Sequence, residues 1–227
     1  MSAIAQGDKL KTLYPKFRPA RLAWPIALLG ALAGSNAVAQ RQHDPKLFAM
    51  LPPYCKYTQV YRENVPGGND AAQIERWTRI LGAQNYIHLH HYCWGLENTS
   101  LALYFSSSKQ DREHQLGQSV KEFDYVVARV TPDFVLLPEI LARRGENQLR
   151  LGNRPQGVQD LNRAIELKAD HWPPYAALSD HYKSLGDLDA AREWAEKGLA
   201  AVPGTRALQR RLAELAKPKA KRTPSAD

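Results

Sequence analysis

Residues 175–204 read YAALSDHYKSLGDLDAAREWAEKGLAAVPG, and parts of this pattern occur 34 residues earlier. The pairs Leu151-Gly152 and Ala164-Ile165 recur as Leu185-Gly186 and Gly198-Leu199. A series of small residues keeps the same interval: Gly145, Ser179 and Ala213. Small side chains allow helices to pack closely, and glycine suits the turn between two helices because it adopts positive φ. The interval therefore predicts a repeated helix–turn–helix unit.

A unit of this length is the signature of tetratricopeptide repeats (TPR), and residues 138–216 resemble that family. Residues 143–170 and 175–204 resemble two consecutive repeats. The second has family-typical residues at Leu178, Tyr182, Gly186, Ala191, Leu199 and Pro203. The first departs from the pattern, because Gln148 occupies a usually aromatic position and Ala169 replaces the closing proline. Residues 205–216 resemble the helix that covers the last repeat, and its inward-facing residues are expected to be Leu208, Leu212 and Leu215.

The resemblance implies an all-α fold, a right-handed helical-repeat (TPR-like) solenoid. Such arrays need roughly three or more units to be stable, and only two are clear in the sequence. We therefore expect the upstream helices to form an N-terminal helical cap, so that the chain makes one continuous solenoid. Residues 114–134 echo the second helix of an earlier repeat, although they do not keep the register.

The upstream part contains independent helix signals. Asp44-Pro45 suits the start of a short helix, which Pro52-Pro53 would stop. Asp70 can cap a helix over 71–81 that Gly82 ends. Apolar periodicity predicts two further helices, over 85–105 and 114–130.

The N-terminus has the pattern of an export signal. A basic stretch ends at Arg21, an apolar run covers 22–34, and the small residues Ala37-Val38-Ala39 follow. This order predicts a signal peptide over residues 1–39, cleaved near Ala39-Gln40. The apolar run is shorter than the roughly 20 residues that span a bilayer, and an uncleaved signal anchor is the alternative. We expect an exported protein, either periplasmic or secreted.

Export changes the interpretation of Cys55 and Cys93, the two cysteines of the chain. An even cysteine count in an oxidising compartment favours a disulfide bond. The alternative is two separately buried thiols. A bond would lie within a helical module over 40–113, which precedes the TPR-like repeats and capping helix over 114–216.

The net charge of +8 is concentrated at the two ends of the chain. Residues 1–39 carry +4 and residues 204–227 carry +5, so the part between them is close to neutral. Nucleic-acid-binding proteins usually spread lysine and arginine over a folded surface, so no nucleic-acid partner is predicted. Residues 217–227 read KPKAKRTPSAD and are expected to be a disordered basic tail. That tail could contact anionic lipid or cell-wall polymer weakly.

Residues 88–96, HLHHYCWGL, are the most unusual segment of the chain. His88, His90 and His91 are candidate metal ligands, because imidazoles three or four residues apart on a helix can bind one zinc or copper ion. No second cluster supplies the remaining ligands, and the alternative is aromatic packing around a buried disulfide. The sequence has no nucleophile elbow, phosphate loop, dinucleotide fingerprint or haem-attachment motif, so neither enzymatic activity nor a cofactor is predicted.

The TPR resemblance also implies a concave groove lined by the first helix of each unit. The corresponding positions are Glu139, Ala142, Glu146, Leu149 and Arg150 in one unit, and Pro173, Ala176, Asp180, Lys183 and Ser184 in the next. Family members that bind a C-terminal carboxylate use a set of Lys and Asn residues here. Because Ala142, Glu146, Ala176 and Asp180 replace that set, we do not expect carboxylate capture. The alternative for each position is an ordinary solvated helix face.

The sequence thus favours a non-enzymatic adaptor or scaffold in the cell envelope, which binds another envelope protein in its TPR groove. The competing hypothesis is a periplasmic metal-binding protein that uses His88, His90 and His91.

Overall fold

The computed structural model describes residues 45–216, and all regular secondary structure in this range is helical. The predicted all-α class is therefore confirmed. The predicted signal peptide (1–39), the expected helix start at Asp44 and the basic tail (217–227) lie outside the described residues. Among the described helices, none is long and apolar enough to cross a bilayer.

Short helices form the N-terminal part: α1 (Pro45–Phe48), a 3-10 helix (Pro53–Tyr57), α2 (Tyr61–Asn64), α3 (Ala71–Leu81) and α4 (Ala83–Tyr86). Helix α3 begins and ends as predicted. The Asp70 carboxylate accepts a hydrogen bond from the backbone N–H of Gln73 (3.1 Å), and Gly82 ends the helix with a φ of +78°.

Longer helices follow: α5 (Leu89–Ser100), continued by a π-helical turn (Leu101–Phe105), then α6 (Lys109–Val127), α7 (Leu137–Arg150), α8 (Arg154–Leu167), α9 (Pro173–Ser184), α10 (Leu188–Ala201) and α11 (Arg206–Leu215). They pack as the pairs α5–α6, α7–α8 and α9–α10, and each pair contacts the next through α6–α7 and α8–α9. Helix α11 covers α9 and α10. The predicted helical-repeat architecture is confirmed.

The small residues of the 34-residue pattern lie where helices turn or meet. Gly152 and Gly186 adopt φ of +85° and +81° in the turns after α7 and α9. Gly145 of α7 faces Gly157 of α8, and a Cβ on either residue would lie 2.9 Å from the carbonyl oxygen of the other. The repeat pattern therefore reflects the positive φ that the turns require and the close helix contact within the pair.

The helix predicted over 85–105 is interrupted, because α4 ends at Tyr86 and α5 begins at Leu89. The Asn85 side chain contacts the chain between α6 and α7 instead. Its Oδ1 accepts a hydrogen bond from the Thr131 backbone (2.9 Å), and its Nδ2 donates to Thr131 Oγ1 (3.2 Å). This long-range contact has no local sequence signal.

One other predicted helix start was too late. Helix α6 begins at Lys109 instead of 114, because Ser108 Oγ accepts a hydrogen bond from the Asp111 backbone (3.0 Å) and caps it. Helix α7 begins at Leu137, next to residue 138 where the TPR resemblance begins, and it therefore includes Glu139, which the resemblance assigned to the first helix of a unit. A proline at its second position, Pro138, suits the first turn of a helix.

Helices α5 and α6 form a third pair, which the sequence indicated only as an echo over 114–134. Helix α6 has 19 residues, whereas α8 in the next pair has 14. The longer helix shifts the pair out of the 34-residue register. The N-terminal cap is thus itself built as a repeat-like helix pair.

Buried hydrogen bonds join this first pair to α7. Asn147 is fully buried, and its Nδ2 donates to Thr99 Oγ1 of α5 (2.7 Å) and Ser119 Oγ of α6 (2.9 Å). Ser119 Oγ in turn donates to the Gly95 carbonyl (2.7 Å), and Arg150 Nη1 donates to Asn147 Oδ1 (2.9 Å). Because burial penalises any unmatched polar group, this network favours one alignment of the three helices.

The apolar core is also continuous across that interface. A single cluster extends from the N-terminal segment through α5 and α6 to Ile140 of α7, and Tyr61, Tyr92 and Phe123 are its largest members. Cys55 and Cys93 lie inside this cluster, both fully buried, and form a disulfide bond between the 3-10 helix and α5. The N-terminal segment is therefore held to α5 by both apolar packing and a covalent bond.

Replacing both cysteines by alanine should lower the free energy of unfolding. The bond joins residues 38 positions apart, and closing a loop of that length contributes on the order of 3–4 kcal/mol. Urea unfolding of the wild type and the double variant measures the difference. Reducing agent should destabilise the wild type and leave the double variant unchanged. Equal stability of the two proteins would show that the bond does not constrain the unfolded chain.

Asn147→Ala should lower the unfolding free energy by about 1–3 kcal/mol, because it leaves buried hydroxyls without their amide donor. Asn162→Ala is the matched control, since Asn162 is half-buried on α8 and takes no part in the network. The control should change stability by less than about 0.5 kcal/mol. Similar urea midpoints for both variants would contradict a structural role for the network.

Candidate protein-binding groove

Helices α7 and α9 line a groove of about 430 Å³, which α11 borders at one end. The lining side chains are Arg143, Glu146, Leu149, Arg150, Trp172, Pro173, Ala176, Ala177, Asp180, His181, Ser184 and Arg211. The lining contains both apolar and charged side chains. Such a lining suits a polypeptide segment better than a single small ion.

The structure brings most of the predicted partner-binding residues into this groove: Glu146, Leu149, Arg150, Pro173, Ala176, Asp180 and Ser184. Ala142 instead lies in the core beside Leu161 and is only 2% exposed, so it is a packing residue. Lys183 is paired with Glu214 of α11 (2.8 Å). Glu139 lines a second cavity.

Sequence reasoning missed five lining residues: Arg143, Trp172, Ala177, His181 and Arg211. Trp172 belongs to the turn before α9, and Arg211 comes from the capping helix, so neither occupies a first-helix position of a repeat. Arg143 could have been predicted from its side-chain length, because an arginine side chain can extend beyond the helix face on which it lies.

Ion pairs neutralise much of the groove. Arg211 binds the Asp180 carboxylate with two nitrogens, Nε at 2.9 Å and Nη2 at 2.5 Å. Arg150 pairs with Glu146 (3.2 Å). Burial and the nearby Arg154 lower the pKa of His181 below its usual value, which favours a neutral ring at pH 7. The Asp180–Arg211 contact also holds α11 against α9 at the end of the groove.

A second cavity of about 380 Å³ lies between the N-terminal segment, α5 and α7. Its lining residues are Met50, Leu51, Pro52, Leu96, Thr99, Ser100, Leu103, Tyr104, Glu139 and Arg143. Because Arg143 lines both cavities, they are neighbours on the same side of α7.

The three histidines of the unusual segment do not converge on an ion site. His91 stacks on Tyr125 of α6 with ring centres 3.7 Å apart, and its Nδ1 lies 2.6 Å from Glu122 Oε2. His90 packs against Trp94 and His91, with ring centres 5.1 and 4.3 Å away. The His91 ring thus packs α5 against α6, whereas the His90 ring packs against side chains of α5 itself.

Across residues 45–216, no group of three or more His, Cys, Asp or Glu side chains is placed to hold a metal ion. Burial is the main cause that lowers the pKa of His90 to about 4, and His91 lowers it further. Burial also lowers the pKa of His88. These pKa shifts keep the rings neutral and so do not themselves oppose metal binding. The metal-binding hypothesis is not favoured because the described residues place no such ligand group together.

The fold was compared with solved structures. The chain is similar to the crystal structure of a thermophilic TPR protein from Thermus thermophilus, with 20% sequence identity and a TM-score of 0.51. The match covers 75% of this chain and 93% of that chain. It therefore extends well beyond the residues 138–216 that resemble TPR in sequence, and the predicted TPR-like fold is confirmed. No protein-family model and no curated protein matches the chain.

His90→Phe should flatten the pH dependence of stability between pH 6.5 and 4. His90 has a pKa of about 4 in the folded protein against an ordinary value of 6.5. The unfolded chain therefore binds more protons in this window, and stability is lost as the pH falls through it. Removing the imidazole removes that loss.

Urea midpoints at pH 7 and pH 4.5 measure this effect, with His114→Phe as the control because His114 is exposed on α6. An unchanged pH dependence in His90→Phe would show that the ring is not kept neutral by burial.

Proposed function

We propose that this chain is a non-enzymatic adaptor of the cell envelope and binds another protein in the groove of α7, α9 and α11. The groove supports this role because it combines concave shape with apolar side chains that folding leaves accessible. Trp172 at its rim is 37% exposed, beside the half-buried Leu149 and Pro173. Aromatic side chains in such positions commonly contribute most to protein–protein affinity.

An envelope location is supported by the predicted signal peptide and by the bond between Cys55 and Cys93. Disulfide bonds persist in oxidising compartments and are rare in the cytosol. The adaptor role is favoured over catalysis because the groove residues are largely engaged in ion pairs and helix packing. None of the sequence motifs for nucleophilic or phosphate chemistry is present.

Recognition of a free C-terminal carboxylate is not part of the proposal. The groove presents the carboxylates of Glu146 and Asp180 where such recognition would need cations, and Ala176 contributes only a methyl group. A partner segment that crosses the groove with internal residues fits this surface better.

A photo-cross-linking residue at Ser184 should capture one partner in the cells that produce the protein. Ser184 is exposed and lines the groove, so its replacement leaves the core intact. The matched control is Gln159, which is exposed on α8 and lies outside the groove lining. Mass spectrometry of the cross-linked bands identifies the partner. Capture from Gln159 but not from Ser184 would place the contact elsewhere and refute the groove as the binding site.

A further inference from the structure

We infer that formation of the disulfide bond between Cys55 and Cys93 brings the groove into its binding form, because the tyrosines next to the two cysteines hold Arg143 of the groove wall. The inference rests on the proposed function and concerns the regulation of the same site. It predicts that the chain binds its partner in this groove only after its cysteines have been oxidised.

The start of α7 packs on the part of the core that contains the bond. Cys55 and Cys93 belong to the same buried cluster as Ile140, and Leu137 packs against that cluster. Leu141, the next residue of α7, belongs instead to a separate cluster formed with α8 and α9. Helix α7 therefore joins the disulfide-linked module to the repeats.

Each cysteine is preceded by a buried tyrosine. Tyr54 and Tyr92 are 8% and 0% exposed, and they interact with each other and with Glu139 of α7. The Arg143 guanidinium also interacts with the Tyr92 hydroxyl. Burial raises the pKa of both phenols, so that they stay protonated at neutral pH. The polar contacts of α7 thus depend on where the 3-10 helix and α5 place these two tyrosines.

A chain of polar contacts continues from Arg143 into the groove. Arg143 lines the groove and interacts with Glu146, and Glu146 pairs with Arg150 (3.2 Å). Arg150 Nη1 in turn donates a hydrogen bond to Asn147 Oδ1 (2.9 Å). Displacement of Tyr92 would therefore disturb several side chains of the groove wall.

The bond keeps the two tyrosines together in the folded protein. Cys55 and Cys93 are both fully buried, so the bond is protected from dissolved thiols once the chain has folded. Noncovalent contacts also hold the N-terminal segment, since Tyr61 donates a hydrogen bond to Glu97 of α5 (2.9 Å). Such contacts open transiently, whereas the covalent bond does not.

Bond formation is an oxidation that takes place in one kind of compartment. Each thiol loses one proton and one electron while the sulfur–sulfur bond forms, and a disulfide-carrying oxidant accepts the protons and electrons and becomes two thiols. Cytosolic thiols stay reduced, whereas exported chains are oxidised. A groove wall that is fixed in advance needs less ordering when a partner binds. The groove therefore binds weakly before export and tightly after it.

Nuclear magnetic resonance of the Arg143 side chain tests the inference without a partner. The order parameter of its Nε–Hε bond measures how firmly the guanidinium is held. In the Cys55→Ala/Cys93→Ala variant and in Tyr92→Phe, this order parameter should fall by about half, toward the values of flexible groups. Tyr92→Phe keeps the bond and the ring, so it remains informative if the cysteine variant does not fold.

The matched control is Tyr86→Phe. Tyr86 is a buried tyrosine of the same cluster, but its hydroxyl donates to the Tyr57 carbonyl (2.6 Å) within the N-terminal segment. This substitution removes a hydrogen bond of the module without changing a contact of α7. The order parameter of Arg143 should therefore keep its wild-type value.

Photo-cross-linking from Ser184 tests the consequence for binding in the cells that produce the protein. Capture of the partner, relative to the amount of protein present, should fall about tenfold in the cysteine variant and in Tyr92→Phe. The Tyr86→Phe control should capture as much partner as the wild type.

The outcomes separate this inference from the proposed function. A folded cysteine variant with the wild-type order parameter for Arg143 would overturn the inference, as would an unchanged order parameter in Tyr92→Phe. Undiminished capture from Ser184 in both variants would also overturn it and leave the groove adaptor in place. No capture from the wild type would count against the proposed function alone, because the measurement on Arg143 needs no partner.

Discussion

The contact between α6 and α7 is the constraint on which the rest of the structure depends. A helix pair cannot bury its apolar face alone, and two recognisable repeats are too few for a stable array. The α5–α6 pair supplies the missing neighbour, and the buried amide of Asn147 joins it to α7 through Thr99 and Ser119. A shifted alignment would leave these polar groups unmatched in the core. The network therefore determines the face of α7 that remains for the groove.

The two halves of the array meet the same packing requirement with different side chains. In the repeats, small residues allow close contact, as where Gly145 faces Gly157. In the first pair, Gly95 makes room for the ring of Phe123, and a Cβ there would overlap the ring. The aromatic core and the disulfide bond give the first pair stability that its irregular helices would otherwise lack. A fixed first pair in turn gives α7 a constant neighbour.

The sequence predicted those features that depend on neighbouring residues. The caps at Asp70 and Gly82 and the turns at Gly152 and Gly186 are of this kind. It missed the interruption near Asn85, because that side chain contacts Thr131, which is distant in sequence. The groove was only partly predictable for the same reason. The positions carried over from the TPR family identified groove residues on α7 and α9. They did not identify Trp172, which lies in a turn, or Arg211, which lies on α11. They also included Ala142, which is too small and too buried to reach the surface.

A polar residue that already contacts another side chain of the same protein stabilises the fold and is not available to a binding partner. The histidines of the segment 88–96 suggested metal chemistry, but His91 is engaged by Tyr125 and Glu122 in packing α5 against α6. The arginines Arg150 and Arg211 are likewise engaged by carboxylates of the groove. A charged group of a binding partner would have to displace one of these ion pairs before it could bind. The groove therefore discriminates only weakly between partners of different charge. Selection must then come mainly from the apolar shape of the groove, where Trp172 is exposed at the rim.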